Sequence, residues 1–253
     1  MQNPFVCRAG GVLSADIAVP EHDRELAFYS KILTTGDNAL WRDDLLNNLG
    51  IPVIGLGART PEYESLPLQW MPHFQVDNVA ASAECAVEMG GKQLMHSKTD
   101  DGESQWAVLV DQDGAAFGVI PVVTQPSENK PQETRQGCIA WLSLTVPNSL
   151  ASRDFYQRVV GWNAQPIEDC EEPNVKFEMQ IDAETAAAEI CQVQNVPNSI
   201  PSTWLIHLPV DDLAESLRLV SDGGGKVIKE PTEGQDAIVR DPVGVFLALR
   251  SSL

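Results

Sequence analysis

Two histidines stand in the same context at two places in the chain. His73 lies in WMPHFQVDNVAASAECAVEMGGKQL (residues 70–94) and His207 in WLIHLPVDDLAESLRLVSDGGGKVI (residues 204–228). The two segments align without a gap at a constant spacing of 134 residues, and Trp70/Trp204, Val76/Val210, Asp77/Asp211, Gly90/Gly224 and Lys92/Lys226 are identical pairs. An imidazole changes charge near neutral pH and is a common metal ligand, so a repeated histidine is a candidate for proton transfer or metal binding. The other reading of each is a hydrogen-bonding cavity residue kept through duplication.

The elements that carry these histidines follow from local pattern. Each segment reads as a short strand, an N-cap (Asn78 or Asp212), a helix, and a Gly-Gly stop at Gly90 or Gly224. A second echo lies upstream of each. Val19, Pro20, Phe28 and Tyr29 recur as Val146, Pro147, Phe155 and Tyr156 at a spacing of 127 residues. Phe28/Ile32 and Tyr29/Leu33 sit four apart and share one helix face. Strand-like runs follow the helices, and DQDGAAF and DPVGVF supply hairpin turns. The expected unit is one strand, one helix and about three strands, written four times. One face of such a sheet is covered by helix, and the other stays open until a second copy closes it into a cleft. The stretch 122–137 is polar, Pro-containing and without apolar period, and reads as a linker.

Composition limits the partners. The chain has 253 residues and a net charge of −19, which opposes binding to a phosphate backbone. No apolar run approaches the ~20 residues of a membrane helix. The start, MQNPFVCRAGG, lacks the features of a secretory signal, so a cytoplasmic location is expected. Five cysteines without a CxxC pair argue against a disulfide framework or structural zinc. GGG at 223–225 follows a helix and lacks the context of a dinucleotide loop.

The Phe-Tyr pairs, VDNV and VDDL at helix starts, the Gly-Gly stops and the two hairpin motifs together resemble the vicinal oxygen chelate superfamily of glyoxalases, bleomycin-resistance proteins and extradiol dioxygenases. The resemblance covers nearly the whole chain. It implies an α+β fold of four βαβββ modules, paired into glyoxalase-like domains at 1–124 and 136–253, joined by a linker at 125–135, with curved mixed sheets around clefts. It also implies a lyase or dioxygenase chemistry where a divalent metal is held by His or Glu on the first and last strands of paired modules. The first-strand positions fall on Ser14, Met71, Trp141 and Leu205, and the last-strand positions on Gly55, Gly118, Glu189 and Ala248, or Leu247 in place of Ala248 if the shorter turn shifts the register. One of the eight is a metal donor.

Alternation along the first strands places the helix-side valines on one face and the residues one, three and five before them on the other. From that open face, Asp16, His73, Gln75, Trp141, Ser143, Thr145 and His207 are the candidate ligand-binding residues. Asp16 with His73 is a candidate proton-transfer pair, and Glu189 with His207 the surviving metal candidates. No cofactor is expected, with a divalent metal as the alternative. The expected partner is a small, partly apolar organic molecule, not nucleic acid or membrane, and the chain is expected to be a monomer or homodimer.

Overall fold

In a computed structural model, residues 5–41, 53–123, 138–167, 175–192, 200–232 and 235–252 are described. The expected linker at 125–135 lies outside them. Module one contributes β1 (Val12–Val19), α1 (His22–Leu33) and β2 (Ile54–Ala58). Module two contributes β3 (Met71–Val76), α2 (Val79–Glu88), β4 (Lys92–Lys98), β5 (Ser104–Val110) and β6 (Ala116–Pro121). Module three contributes β7 (Trp141–Val146), α3 (Ser149–Val160), β8 (Asn163–Ile167), β9 (Lys176–Asp182) and β10 (Thr185–Gln192). Module four contributes β11 (Trp204–Val210), α4 (Leu213–Asp222), β12 (Lys226–Lys229), β13 (Ala237–Arg240) and β14 (Phe246–Ser251).

The protein is therefore α+β. Among the described residues its strands fall into two mixed sheets, β1–β6 and β7–β14. Modules two, three and four each order their strands first, fourth, third, second: β3-β6-β5-β4, β7-β10-β9-β8 and β11-β14-β13-β12. The first and fourth strands run parallel and the rest antiparallel. A parallel pair cannot be joined by a tight turn, and the long excursion through helix and hairpins supplies the crossover. Module one shows its first strand and, parallel beside it, β2 in the place of the fourth.

Local chemistry sets the boundaries. Asn78, Asn148 and Asp212 each accept a backbone N–H three residues on, at 3.0, 3.1 and 2.9 Å. Gly90 and Gly224 take φ values of 91° and 90° after α2 and α4, a region that glycine enters without strain.

Packing groups the chain into two compact units. Each draws one module from either side of the sequence repeat. The first is Met1–Leu13, Met71–Glu128 and Leu142–Trp204, holding modules two and three. The second is Ser14–Trp70, Asn129–Trp141 and Leu205–Leu253, holding modules one and four. In the first unit α2 packs on α3, and Phe74, Phe117, Phe155, Tyr156, Trp162 and Trp204 form one aromatic cluster. In the second, α1 packs on α4 and buries Phe28, Tyr29, Ile32 and Leu33, the face expected from their spacing.

The same buried chain of hydrogen bonds occurs in both units. In the first, Trp204 Nε1 donates to Tyr156 Oη at 2.9 Å, and Tyr156 Oη donates to Asp111 at 3.0 Å. In the second, Trp70 Nε1 donates to Tyr29 Oη at 3.2 Å, and Tyr29 Oη donates to Asp241 at 2.8 Å. The other aspartate oxygen caps its own hairpin. Asp111 Oδ1 accepts from the backbone N–H of Asp113 and Ala115, and Asp241 Oδ1 from Val243, Gly244 and Val245. The repeated tryptophans, the Phe-Tyr pairs and the hairpin aspartates are thus parts of one device. Burial pushes the Asp111 carboxyl above its ordinary value, even though its backbone partners and Tyr156 pull it down.

Removing the hydroxyl of Tyr156 strands a buried carboxylate oxygen and an indole N–H together. Tyr156→Phe is expected to lower the unfolding free energy by about 2–4 kcal/mol, read from urea titration.

Candidate functional site

The helix-covered face of each first strand is closed. Phe74, Leu208 and Val210 are fully buried, and the Phe74 ring lies edge-on to Tyr156, Trp162 and Trp204. His73 and His207 take the opposite face by alternation, at equivalent places in their modules. Strand register then defines a row of residues crossing each sheet on that open face, because directly paired residues point the same way. In module one the row is Asp16 and Gly55. In module two it is His73, Gly118, Val108 and Met95. In module three it is Ser143, Glu189, Glu178 and Gln165. In module four it is His207, Ala248, Ile238 and Lys229.

Each row joins the last-strand position of the family's metal site to the residue two places beyond its first-strand position. A division of space follows. Where the first strand carries a large polar group, the fourth carries glycine or alanine. A Cβ at Gly55 would collide with the Asp16 carboxylate, and one at Gly118 would collide with the His73 ring. In module three the roles are exchanged: Ser143 is small and Glu189 is long.

His207 is held on both sides of its partner. Its Nδ1 is hydrogen-bonded to Asp236, and Asp236 in turn accepts from Arg250 Nε at 2.9 Å and pairs with Arg250 Nη2 at 2.9 Å. Burial would raise the Asp236 carboxyl, but the His207 and Arg250 hydrogen bonds outweigh it and hold Asp236 below the ordinary carboxylate range. An ionised Asp236 can only accept, so the proton of this hydrogen bond sits on His207 Nδ1. Asp236 and Arg250 were not visible as functional residues in the sequence. Arg250 shares the Ala248 face of β14, but Asp236 precedes β13 in a segment without a motif.

Module three carries a polar face. Glu189 is ion-paired to Lys176 at 2.6 Å, and Glu178 accepts from Gln180 at 2.9 Å. Two glutamates directly opposed on neighbouring strands repel, and these two partners offset that repulsion. Thr145 lies beside Cys191 on the same sheet, half-buried, and Trp141 at the start of β7 is also half-buried. Gln75 lies on the predicted face, but its amide is taken up by the chain. Nε2 donates to the Val6 carbonyl at 2.8 Å and Oε1 accepts from the Val123 N–H at 3.0 Å. It fastens the segments flanking its sheet and is almost wholly buried.

Asp16, Trp141 and His207 belong to one compact unit, and His73, Gln75, Ser143, Thr145 and Glu189 to the other. Among the described residues, no three His, Cys, Asp or Glu side chains gather in a metal-holding group. The row residues account for this: seven of the eight family ligand positions hold Ser, Met, Trp, Leu, Gly or Ala. The side chains present do not fit the family's metal site.

Residues 138–249 match the Glyoxalase/Bleomycin resistance protein/Dioxygenase superfamily. The module order agrees with that match. The match falls in the second half of the chain, whose modules resemble those of the vicinal oxygen chelate superfamily. CFP32 of Mycobacterium tuberculosis (strain CDC 1551 / Oshkosh), which carries a provisional glyoxylase name, is 26% identical over 124 residues, covering 47% of this chain and 48% of that protein. The anthracycline biosynthesis protein DnrV of Streptomyces peucetius is 27% identical over 127 residues, covering 45% and 46%. These matches span about half the length of either relative. The Mn(II)-bound glyoxalase of Novosphingobium aromaticivorans shares the fold, with a TM-score of 0.54 at 16% identity, over 96% of this chain and 82% of that one. A halotolerant catechol dioxygenase, BphC, shares the fold as well, with a TM-score of 0.54 at 12% identity, over 98% of this chain and 88% of that one.

The clamp on His207 has a measurable pH signature. A carboxyl depressed in the folded state stabilises above its unfolded value, and that contribution is lost as pH falls through the folded one. Asp236→Asn is expected to cost about 1–3 kcal/mol at neutral pH. The wild-type and variant stability curves, measured by chemical denaturation, should converge as pH falls below the ordinary carboxylate range.

Proposed function

We propose that the protein binds a small, partly apolar organic ligand on the open faces of its modules, with His73 and His207 as the polar contacts and without the family's metal-donor set. The carrying observation is the pattern of the four rows. The row of module two is apolar apart from His73, with Val108 and Met95 beyond the glycine that accommodates the ring. Such a surface offers an apolar body one flat contact area and one hydrogen bond. Asp16, Trp141, Ser143 and Thr145 are the candidate contacts of the other modules, where the lining is more polar. The name of DnrV, which ties that relative to anthracycline biosynthesis, is in keeping with an organic ligand.

A metal-dependent lyase or dioxygenase is the second reading, supported by the fold shared with the Mn(II)-bound glyoxalase. It would rest on Glu189 and His207. Both already have charged partners, Lys176 in one unit and Asp236 in the other, which a metal would have to displace. The residues therefore favour the binder.

Elemental analysis of protein purified without chelator distinguishes the two. The expected outcome is no transition metal near one equivalent per chain, and stabilisation by members of a panel of small aromatic compounds in thermal-shift assays. Zinc, nickel, iron or manganese near stoichiometry would overturn the binding-only reading. For a compound found in this way, His73→Ala or His207→Ala is expected to weaken its affinity about threefold to tenfold, the worth of one hydrogen bond, while melting shifts little. Unchanged dissociation constants in both variants would remove the histidines from the site.

A further inference from the structure

The core of the unit built from modules one and four contains a carboxyl group that the fold does not explain. Glu25, on the inner face of α1, is 0% exposed, and neither of its oxygens has a hydrogen-bond partner among the described residues. Buried carboxylates without partners are rare because desolvating the charge is costly. One turn on, on the same buried face of α1, Tyr29 donates to Oδ2 of the buried Asp241, which brings that carboxyl to Glu25; Asp241 Oδ1 is committed to three backbone N–H groups. The charged groups acting on Glu25 are Asp241 from the β13–β14 hairpin and Arg24 and Glu21 from the start of its own helix. Arg24 is paired with Glu21 at 2.9 Å on the surface.

The other unit solves the same corner differently. The position equivalent to Glu25, 127 residues on, is Ser152, whose hydroxyl donates to Asp113 at 3.2 Å. There the second acid belongs to the hairpin and meets a hydroxyl. In the unit of modules one and four, Val243 replaces that acid and Glu25 brings a carboxyl from the helix instead.

We propose that Glu25 and Asp241 share one proton in this core, and that its loss near neutral pH loosens α1 from the β13–β14 hairpin. Two carboxylates side by side in a low-dielectric interior cannot both ionise cheaply, whereas one protonated carboxyl can donate to the other. Burial first, and then Asp241, push Glu25 up to about 7. The same hairpin joins the strands that lead to Asp236 and Arg250, so the device sits at the far end of the His207 clamp.

The sign is fixed by where the proton is held. The folded chain keeps it to about 7, whereas the ordinary glutamate value is 4.5. Folded protein thus binds more protons than unfolded across that window, and stability falls as pH rises through it and levels off above. The unfolding constant of the intact chain should rise by up to about tenfold per pH unit within the window, relative to Glu25→Gln. Amide exchange in α1 and residues 241–245 should quicken between about pH 6 and about pH 8, while α3 and residues 111–115 serve as the internal control. In wild-type protein labelled with 13C-glutamate, one side-chain carboxyl should titrate near neutrality, and its signal should vanish in Glu25→Gln. The labelled wild type decides the matter even if the variant does not fold. The proposal is overturned if every glutamate titrates in the ordinary range, or if Glu25→Gln keeps the wild-type pH dependence. It is equally overturned if EDTA destabilises the wild type, which would mark a bound cation between the carboxyls instead of a proton.

Discussion

An indole N–H, a phenol and a carboxylate, joined in series and shut away from water, tie each compact unit together. The tryptophan begins a first strand, the tyrosine projects from a helix, and the aspartate closes a hairpin. Because the aspartate's second oxygen binds its own turn, the series locks hairpin, helix and strand in one stroke. Every member lies in a low-dielectric setting where a missing partner is costly and a satisfied network is rigid. The repeated residues of the chain include the members of this series. Each unit needs its own copy, and the residues that look like scattered family signatures meet in space as one structure.

That constraint governs only one side of each sheet. The helix-covered faces of β3 and β11 carry Phe74, Val76, Leu208 and Val210 in matching places, since they support the same kind of core. The opposite faces have drifted apart: one row is apolar around a histidine, one is rich in glutamate, and one sets a histidine against an aspartate–arginine pair. Shared fold and divergent chemistry coexist because alternate residues of a strand answer to different surroundings.

The caps, the Gly-Gly stops, the hairpins and the two-faced strands were legible in the sequence because each depends on residues close together in the chain. Asn78 and Asp212 cap where local pattern places them. The clamp on His207 was not legible. Asp236 lies 29 residues away and is brought in by a strand pairing that no local signal specifies. Glu25 was hidden for the opposite reason, since an acid in the first turn of a helix normally faces water and complements the helix dipole. Gln75 shows the limit of facing as a guide to role: its neighbours at Val6 and Val123 claim its amide for the backbone. The partition into compact units depends on which helices pack together, and helix pairing leaves no mark on a repeat spacing.

The rows also bear on how such a protein changes over generations. A residue in a row shares its strand with the core but not its face, so an exchange there leaves the aromatic cluster and the hairpin locks untouched. The glycine or alanine opposite the large side chain makes the exchange reciprocal: growth on one strand must be met by shrinkage on the next, as Ser143 with Glu189 inverts His73 with Gly118. Compensated pairs of this kind let one sheet trade an imidazole for a carboxylate in two steps. A chain holding four modules can make that trade in one while the other three keep the molecule folded, which is a structural basis for acquiring new recognition without first losing the old.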